Sequence, residues 1–202
     1  MPNDVVTRGG LAAHLFRRSF HIATCFYPWI IYQIIYFIQK YVDISSFGIL
    51  LIFMLVLIFL ECLRLALHWR IWGMRQYESK QFSALFWGFF GLLIVIGLVP
   101  GGVESGRKYV YPIVCGFAFV DPLVGELRKL KMHKGLIWII GLLVTAGIWF
   151  VASYWLGTPI WLMYVMPFLV MIAEWPSLSW VDDNFLLQIL PLLFLILCNH
   201  WF

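Results

Sequence analysis

Seven apolar runs dominate the chain and leave few folds open to it. They cover approximately residues 21–41, 47–68, 82–100, 109–125, 136–156, 159–174 and 184–202. Most approach the ~20 residues a helix needs to cross a bilayer core about 30 Å thick. The chain has 202 residues, 63% of them hydrophobic and 12% charged. A water-soluble fold of that size could not hide so much apolar surface. In hydrocarbon each backbone N–H and C=O must be satisfied within its own segment, so such runs fold as helices. The expectation is an all-α, polytopic membrane helix bundle of about seven transmembrane helices, one domain over residues 1–202. The fourth and sixth runs are short. Asp121-Pro122 breaks the fourth and Pro167 falls in the sixth, and interrupted spans often line a site. The first 18 residues lack an apolar core before a small-residue cleavage site, so no signal peptide is expected.

Charge sets the expected orientation. Arg8, Arg17, Arg18, Arg64, Arg70, Arg75, Lys80, Arg128, Lys129, Lys131 and Lys134 fall before the first run or after the second and fourth. The opposite side holds only Lys40, Arg107 and Lys108. The positive-inside rule then makes the N-terminus cytoplasmic. The net charge of +4 reads as topology information, not as a nucleic-acid footprint. Cys25, Cys62, Cys115 and Cys198 are scattered through apolar runs, without the spacing of a zinc site or disulfide framework.

With this orientation the unusual polar residues gather on the cytoplasmic face. Asp121 sits inside an apolar run, where a carboxylate costs roughly 2.5–3.5 kcal/mol to insert. Asp-Pro matches a helix N-cap followed by proline at the first helical position. A carboxylate there also suits a hard divalent cation, with Glu126 a turn and a half further on and Gly125 allowing close approach. The basic stretch "ELRKLKMHKG" suits anionic headgroups, and Arg128, Lys129, Lys131 and Lys134 equally suit the phosphates of a nucleotide. In "WPSLSWVDDNFLLQILP", Asp183 or Asn184 can cap the last helix. Asp183 can also hold a metal, and Asn184 can contact a nucleotide. Glu174, one span earlier, is a candidate proton acceptor. Arg17, Arg18 and His21 share a turn, where snorkelling to the interface is the ordinary role for arginine. Glu61 and Arg64, at i and i+3, form a natural ion pair. His14, His68, His133 and His200 carry no signal.

In order along the chain, these pieces resemble the polyprenol kinase family: dolichol kinase, phytol kinase and the CTP-dependent diacylglycerol kinase. The matching residues are Arg17-Arg18 with His21, Glu61 with Arg64, Ser83-Ala84, "DPLVGELRK" from Asp121, then Glu174 and Asp183-Asn184 with Pro191 beyond. The resemblance spans about residues 16–191. It departs from the family at Lys134, where glutamate is usual, at Leu136, where serine or threonine is usual, and at Glu126 after Gly125.

The resemblance implies phosphoryl transfer from CTP, or another nucleoside triphosphate, to the hydroxyl of a membrane lipid alcohol such as a polyprenol, phytol or diacylglycerol. It implies Mg²⁺, held by Asp121 and Asp183 with Glu126. Arg17, Arg18, Arg128, Lys129, Lys131, Lys134 and Asn184 would serve the nucleotide, and Glu174 or His21 would take the hydroxyl proton. The setting would be a multi-pass protein of the cytoplasmic or endoplasmic-reticulum membrane, active on its cytoplasmic face, with no nucleic-acid partner. A lipid cytidylyltransferase is the alternative enzyme; a non-enzymatic scaffold or transporter is the alternative class.

Overall fold

The computed structural model describes residues 10–74, 76–175 and 181–198. Arg8, Arg75, His200 and residues 176–180 of the acidic stretch lie outside the described residues. Among the described residues there are nine α-helices, two 3-10 turns and no strand. The helices are α1 (Gly10–Ala23), α2 (Tyr27–Tyr41), α3 (Ser46–Ala66), α4 (Ala84–Leu98), α5 (Gly102–Ser105), α6 (Arg107–Lys129), α7 (Lys134–Leu156), α8 (Leu162–Glu174) and α9 (Asp183–Leu197).

Four stretches are long and apolar enough to cross a membrane: Gly10–Tyr41, in which the 3-10 turn Thr24–Phe26 joins α1 to α2, and helices α3, α6 and α7. Helices α4, α8 and α9 are apolar but only 15, 13 and 15 residues long. At 1.5 Å per residue they reach about 20–22 Å, short of a ~30 Å hydrocarbon core. The fourth run corrects the sequence-based expectation in the other direction. It is a continuous 23-residue helix, α6, that passes through Pro112 and Pro122 without a break. Asp121 therefore lies within a helix and caps nothing. The physical reason is position. Helix α6 is central, packed on α1, α2, α4, α5, α7, α8 and α9. Both prolines are buried in it, and the packing around them outweighs the backbone hydrogen bonds that proline forfeits.

The peripheral helices are inside out by the standards of an aqueous fold. Of the 21 residues of α3, only Ile49, Leu50, Glu61 and Arg64 are buried. Its charged pair faces inward, while Leu51, Leu55 and Phe59 face outward. Helix α7 likewise exposes Leu143, Tyr154 and Trp155. An apolar exterior of this extent needs an apolar surrounding.

Caps place the site. Ser83 begins α4 by accepting from the Phe86 N–H at 3.1 Å. Asp182, not the expected Asp183 or Asn184, is the N-cap of α9, accepting from the Asn184 N–H at 3.0 Å. The basic stretch is mostly helix, with Glu126, Arg128 and Lys129 in the last turn of α6. That helix ends in a Schellman motif, in which Met132 N–H donates to Leu127 O and Lys131 N–H to Arg128 O. Lys131 takes the left-handed φ of 54° that the motif requires.

Candidate functional site

Polar residues collect at one end of the bundle, where α3, α6 and α8 finish and α4 and α9 begin. Helix α1 brings His14, Arg18 and His21, spaced by four and then three residues, so they form one stripe. The stripe lies antiparallel to the end of α6. His14 Nε2 is 3.0 Å from Glu126 Oε1, Arg18 Nε donates to that same oxygen at 3.1 Å, and Arg18 Nη1 is 3.6 Å from Asp121 Oδ2. Further along, His21 Nε2 is 3.4 Å from both Asp121 Oδ2 and Phe117 O. Lys129 Nζ closes the group, 3.1 Å from Glu126 Oε1 and 2.7 Å from His14 Nε2. Gly125 has a different use from the one expected. A Cβ there would collide with the Arg18 guanidinium, so glycine is what lets Arg18 lie across α6.

Three carboxylates from three helices converge beside this stripe. One oxygen each from Asp121, Glu174 and Asp183 lie within 4.8 Å of one another. Glu174 is buried, and Arg128 Nη1 stands 2.9 Å from its Oε1. That approach is too poorly aligned for a hydrogen bond, so both carboxylate oxygens lack an aligned donor. Arg128 spends its better geometry on Glu174 O, at 3.1 Å, and on the Trp175 ring, 5.5 Å away. Carboxylates this close repel unless protons or a cation intervene. Oxygens on one Mg²⁺-sized ion stand about 3 Å apart at adjacent positions and about 4.2 Å apart at opposed ones, so the three carboxylates could hold a hard divalent cation once drawn together.

Glu126 is not in that group. Five residues along a helix turn a side chain about 140° away from the starting one. Glu126 therefore meets His14, Arg18 and Lys129, and Glu174 stands where Glu126 was expected with Asp121 and Asp183. Asp182 adds a fourth carboxyl. Burial, then the Asp183 carboxylate beside it, pushes Asp182 well above the usual carboxylate range.

An apolar cavity of about 270 Å³ adjoins the polar end. Phe16, Phe20, Tyr27, Trp72, Phe89 and Phe117 give it aromatic walls, and His21 lines it while also touching Asp121. Arg17, Asn184 and Gln188 line it too.

No protein-family model, curated protein or solved structure matches the chain.

The remaining expected residues divide. Arg17 pairs with the buried Glu78, Nη1 to Oε1 at 3.3 Å, instead of joining Arg18. Lys131, in the turn after α6, and Lys134, the first residue of α7, are both exposed. Asn184 is buried against α4 and donates to Ala84 O at 3.4 Å. Glu61 and Arg64 form a bidentate pair, both arms 2.9 Å. The pair organises the connection from α3 to α4. Arg64 donates to the carbonyls of Trp69, Glu78 and Gln81, and Glu61 accepts from the Ser83 N–H at 2.6 Å. That connection supplies Ile71, Trp72 and Met74 to the cavity wall. Sequence reasoning missed His14, Glu78 and Gln188, and it placed Asp182 beside Asp183 without a role of its own. Of the three, His14 alone could have been found, by its spacing of four and seven from Arg18 and His21.

Proposed function

We propose that this chain is a membrane-embedded kinase that transfers a phosphoryl group from CTP, or another nucleoside triphosphate, to a lipid alcohol. The observation that carries the reading is His21, which touches Asp121 of the carboxylate group and lines the apolar cavity. A lipid chain in the cavity would bring its hydroxyl to His21, beside the carboxylates that suit a cation and beside Arg18, Arg128 and Lys129. The resemblance to polyprenol kinases supports the same reading. In it all seven apolar helices sit in the membrane, α4, α8 and α9 incompletely spanning, with the N-terminus and the polar end cytoplasmic.

In this mechanism Asp121, Glu174 and Asp183 would hold Mg²⁺, which withdraws charge from the donor phosphates when bound. Arg18 and Lys129 neutralise charge on the transferred group, since positioning and electrostatics dominate phosphoryl transfer. With its Nε2–H held by Asp121 and Phe117 O, His21 keeps Nδ1 as the ring's acceptor. Nδ1 takes the hydroxyl proton as the lipid oxygen bonds to the γ-phosphorus. The bond from that phosphorus to the bridging oxygen breaks, and the nucleoside diphosphate leaves.

The test supplies γ-labelled CTP, with ATP in parallel, and a panel of lipid alcohols to the purified protein and to Asp121→Asn. Labelled lipid phosphate from the parent alone is expected. Pyrophosphate release with a lipid phosphate acceptor would replace the reading by cytidylyl transfer. No transfer from either nucleotide would end the enzyme reading and leave the scaffold or transporter class.

A further inference from the structure

We propose that the lipid acceptor enters the cavity sideways from the bilayer, between Phe16 of α1 and Trp72 of the α3–α4 connection, with α1 as the lid of that portal. The inference rests on the cavity being the acceptor's site and adds the route by which the lipid reaches it.

Four residues that line the cavity also face outward. Phe16, Ile71, Trp72 and Leu85 are each between 41% and 52% exposed. A side chain that touches both the cavity and the surroundings is all that separates the two there. Three of the four stand together, because Ile71 precedes Trp72 and the Phe16 and Trp72 rings meet with centroids 5.0 Å apart. Leu15 and Trp69, close by in the chain, are exposed as well. An apolar, tryptophan-rich rim of this kind suits the bilayer boundary and not bulk water.

Helix α1 is held as a lid would be. Of its 14 residues only Ala13 is buried. Its side chains reach the end of α6 through the ion pairs of His14, Arg18 and His21 with Glu126 and Asp121. Ion pairs that water can reach are weak fasteners, and segments with few buried apolar contacts open first. Across the seam, the Arg17–Glu78 pair at 3.3 Å joins α1 to the connection. The connection itself is anchored, since Arg64 donates to Glu78 O and Gln81 O, each at 2.9 Å. The moving side is therefore α1. Its hinge is the 3-10 turn Thr24–Phe26, which interrupts the Gly10–Tyr41 stretch, and such an interruption is where a helix can bend. Opening carries Arg18 and His21 off Asp121, and closing over a bound lipid returns them. Acceptor entry and assembly of the polar end are then one motion, which keeps water from the phosphoryl donor until a lipid is in place.

The test follows entry, with no nucleotide present. Full-length protein lacking its four native cysteines, carrying Phe16→Cys and Trp72→Cys, is placed in phosphatidylcholine vesicles. A short bis-thiosulfonate reagent bridges the two thiols, and reductant removes the bridge. A radiolabelled long-chain alcohol bearing a diazirine is added, and light flashes at intervals record how fast it labels the cavity. Bridging should slow labelling at least tenfold, and reductant should restore it. Glu78→Gln, which needs no bridge and weakens the pair across the seam at constant size, should speed labelling at least threefold. Entry as fast with the bridge as without it would overturn the inference, as would entry that Glu78→Gln leaves unchanged. The kinase reading fails separately. Slowed entry in a protein that transfers no phosphoryl group keeps the portal and removes the reaction. Undiminished transfer by the bridged protein keeps the reaction and removes the portal.

Discussion

At the residue scale, the site depends on how Arg18 is held. Its guanidinium lies over Gly125 and reaches Asp121 and Glu126 at once. Gly125→Ala should push Arg18 off α6 while the helix itself gains propensity. We expect the variant to fold and to lose at least tenfold in kcat for lipid phosphorylation, measured against parent protein in the CTP assay. Undiminished kcat would take Arg18 out of the mechanism. The buried Glu61–Arg64 pair is a different case, because it touches structure and not the carboxylate group. Removing one partner leaves an uncompensated buried charge, which costs about 3–5 kcal/mol. Arg64→Leu should therefore unfold at markedly lower denaturant or temperature, and the connection that walls the cavity should become protease-sensitive. An unchanged melting curve would show that the pair is not the fastening.

At the element scale, the end of α6 separates capping from chemistry. Lys131 adopts a left-handed backbone conformation that costs an L-residue roughly 1–2 kcal/mol. Glycine adopts it freely. Lys131→Gly should raise the free energy of unfolding by about 1 kcal/mol, and because the side chain is exposed, kcat/KM for the nucleotide should stay within twofold. A large rise in nucleotide KM would instead return Lys131 to phosphate binding. The same helix shows why sequence reading stumbled. Asp-Pro scores as a helix start from local chemistry, yet the packing around Pro122 keeps α6 continuous. A position five residues along a helix is close in sequence and on another face in space, which is how Glu126 came to be grouped with Asp121.

At the scale of the whole molecule, the outward apolar faces of α2, α3 and α7 and the inward charges make one pattern. The chain should remain in the membrane fraction after alkaline carbonate washing and leave it only with detergent. Single cysteines placed at Lys131 and Lys134, in a variant lacking the four native cysteines, should react with an impermeant maleimide from the cytoplasmic side alone. Labelling from the outer side would reverse the orientation. The sequence by itself determined the helical class and the apolar runs, because backbone satisfaction in hydrocarbon and residue hydropathy are local properties. It also supplied Asp121, Glu174 and Asp183 as unusual carboxylates, since a charge in an apolar run is visible without neighbours. Their convergence, the separation of Glu126 and Arg17 from them, and the cavity that His21 shares with Asn184 and Gln188 were decided only by tertiary structure. Those facts depend on helices distant in the chain packing side by side, with Asp121 and Glu174 53 residues apart and His21 and Asn184 163 apart, and on which face of each turns inward. Neither distance nor rotation between segments is written in any one segment's sequence.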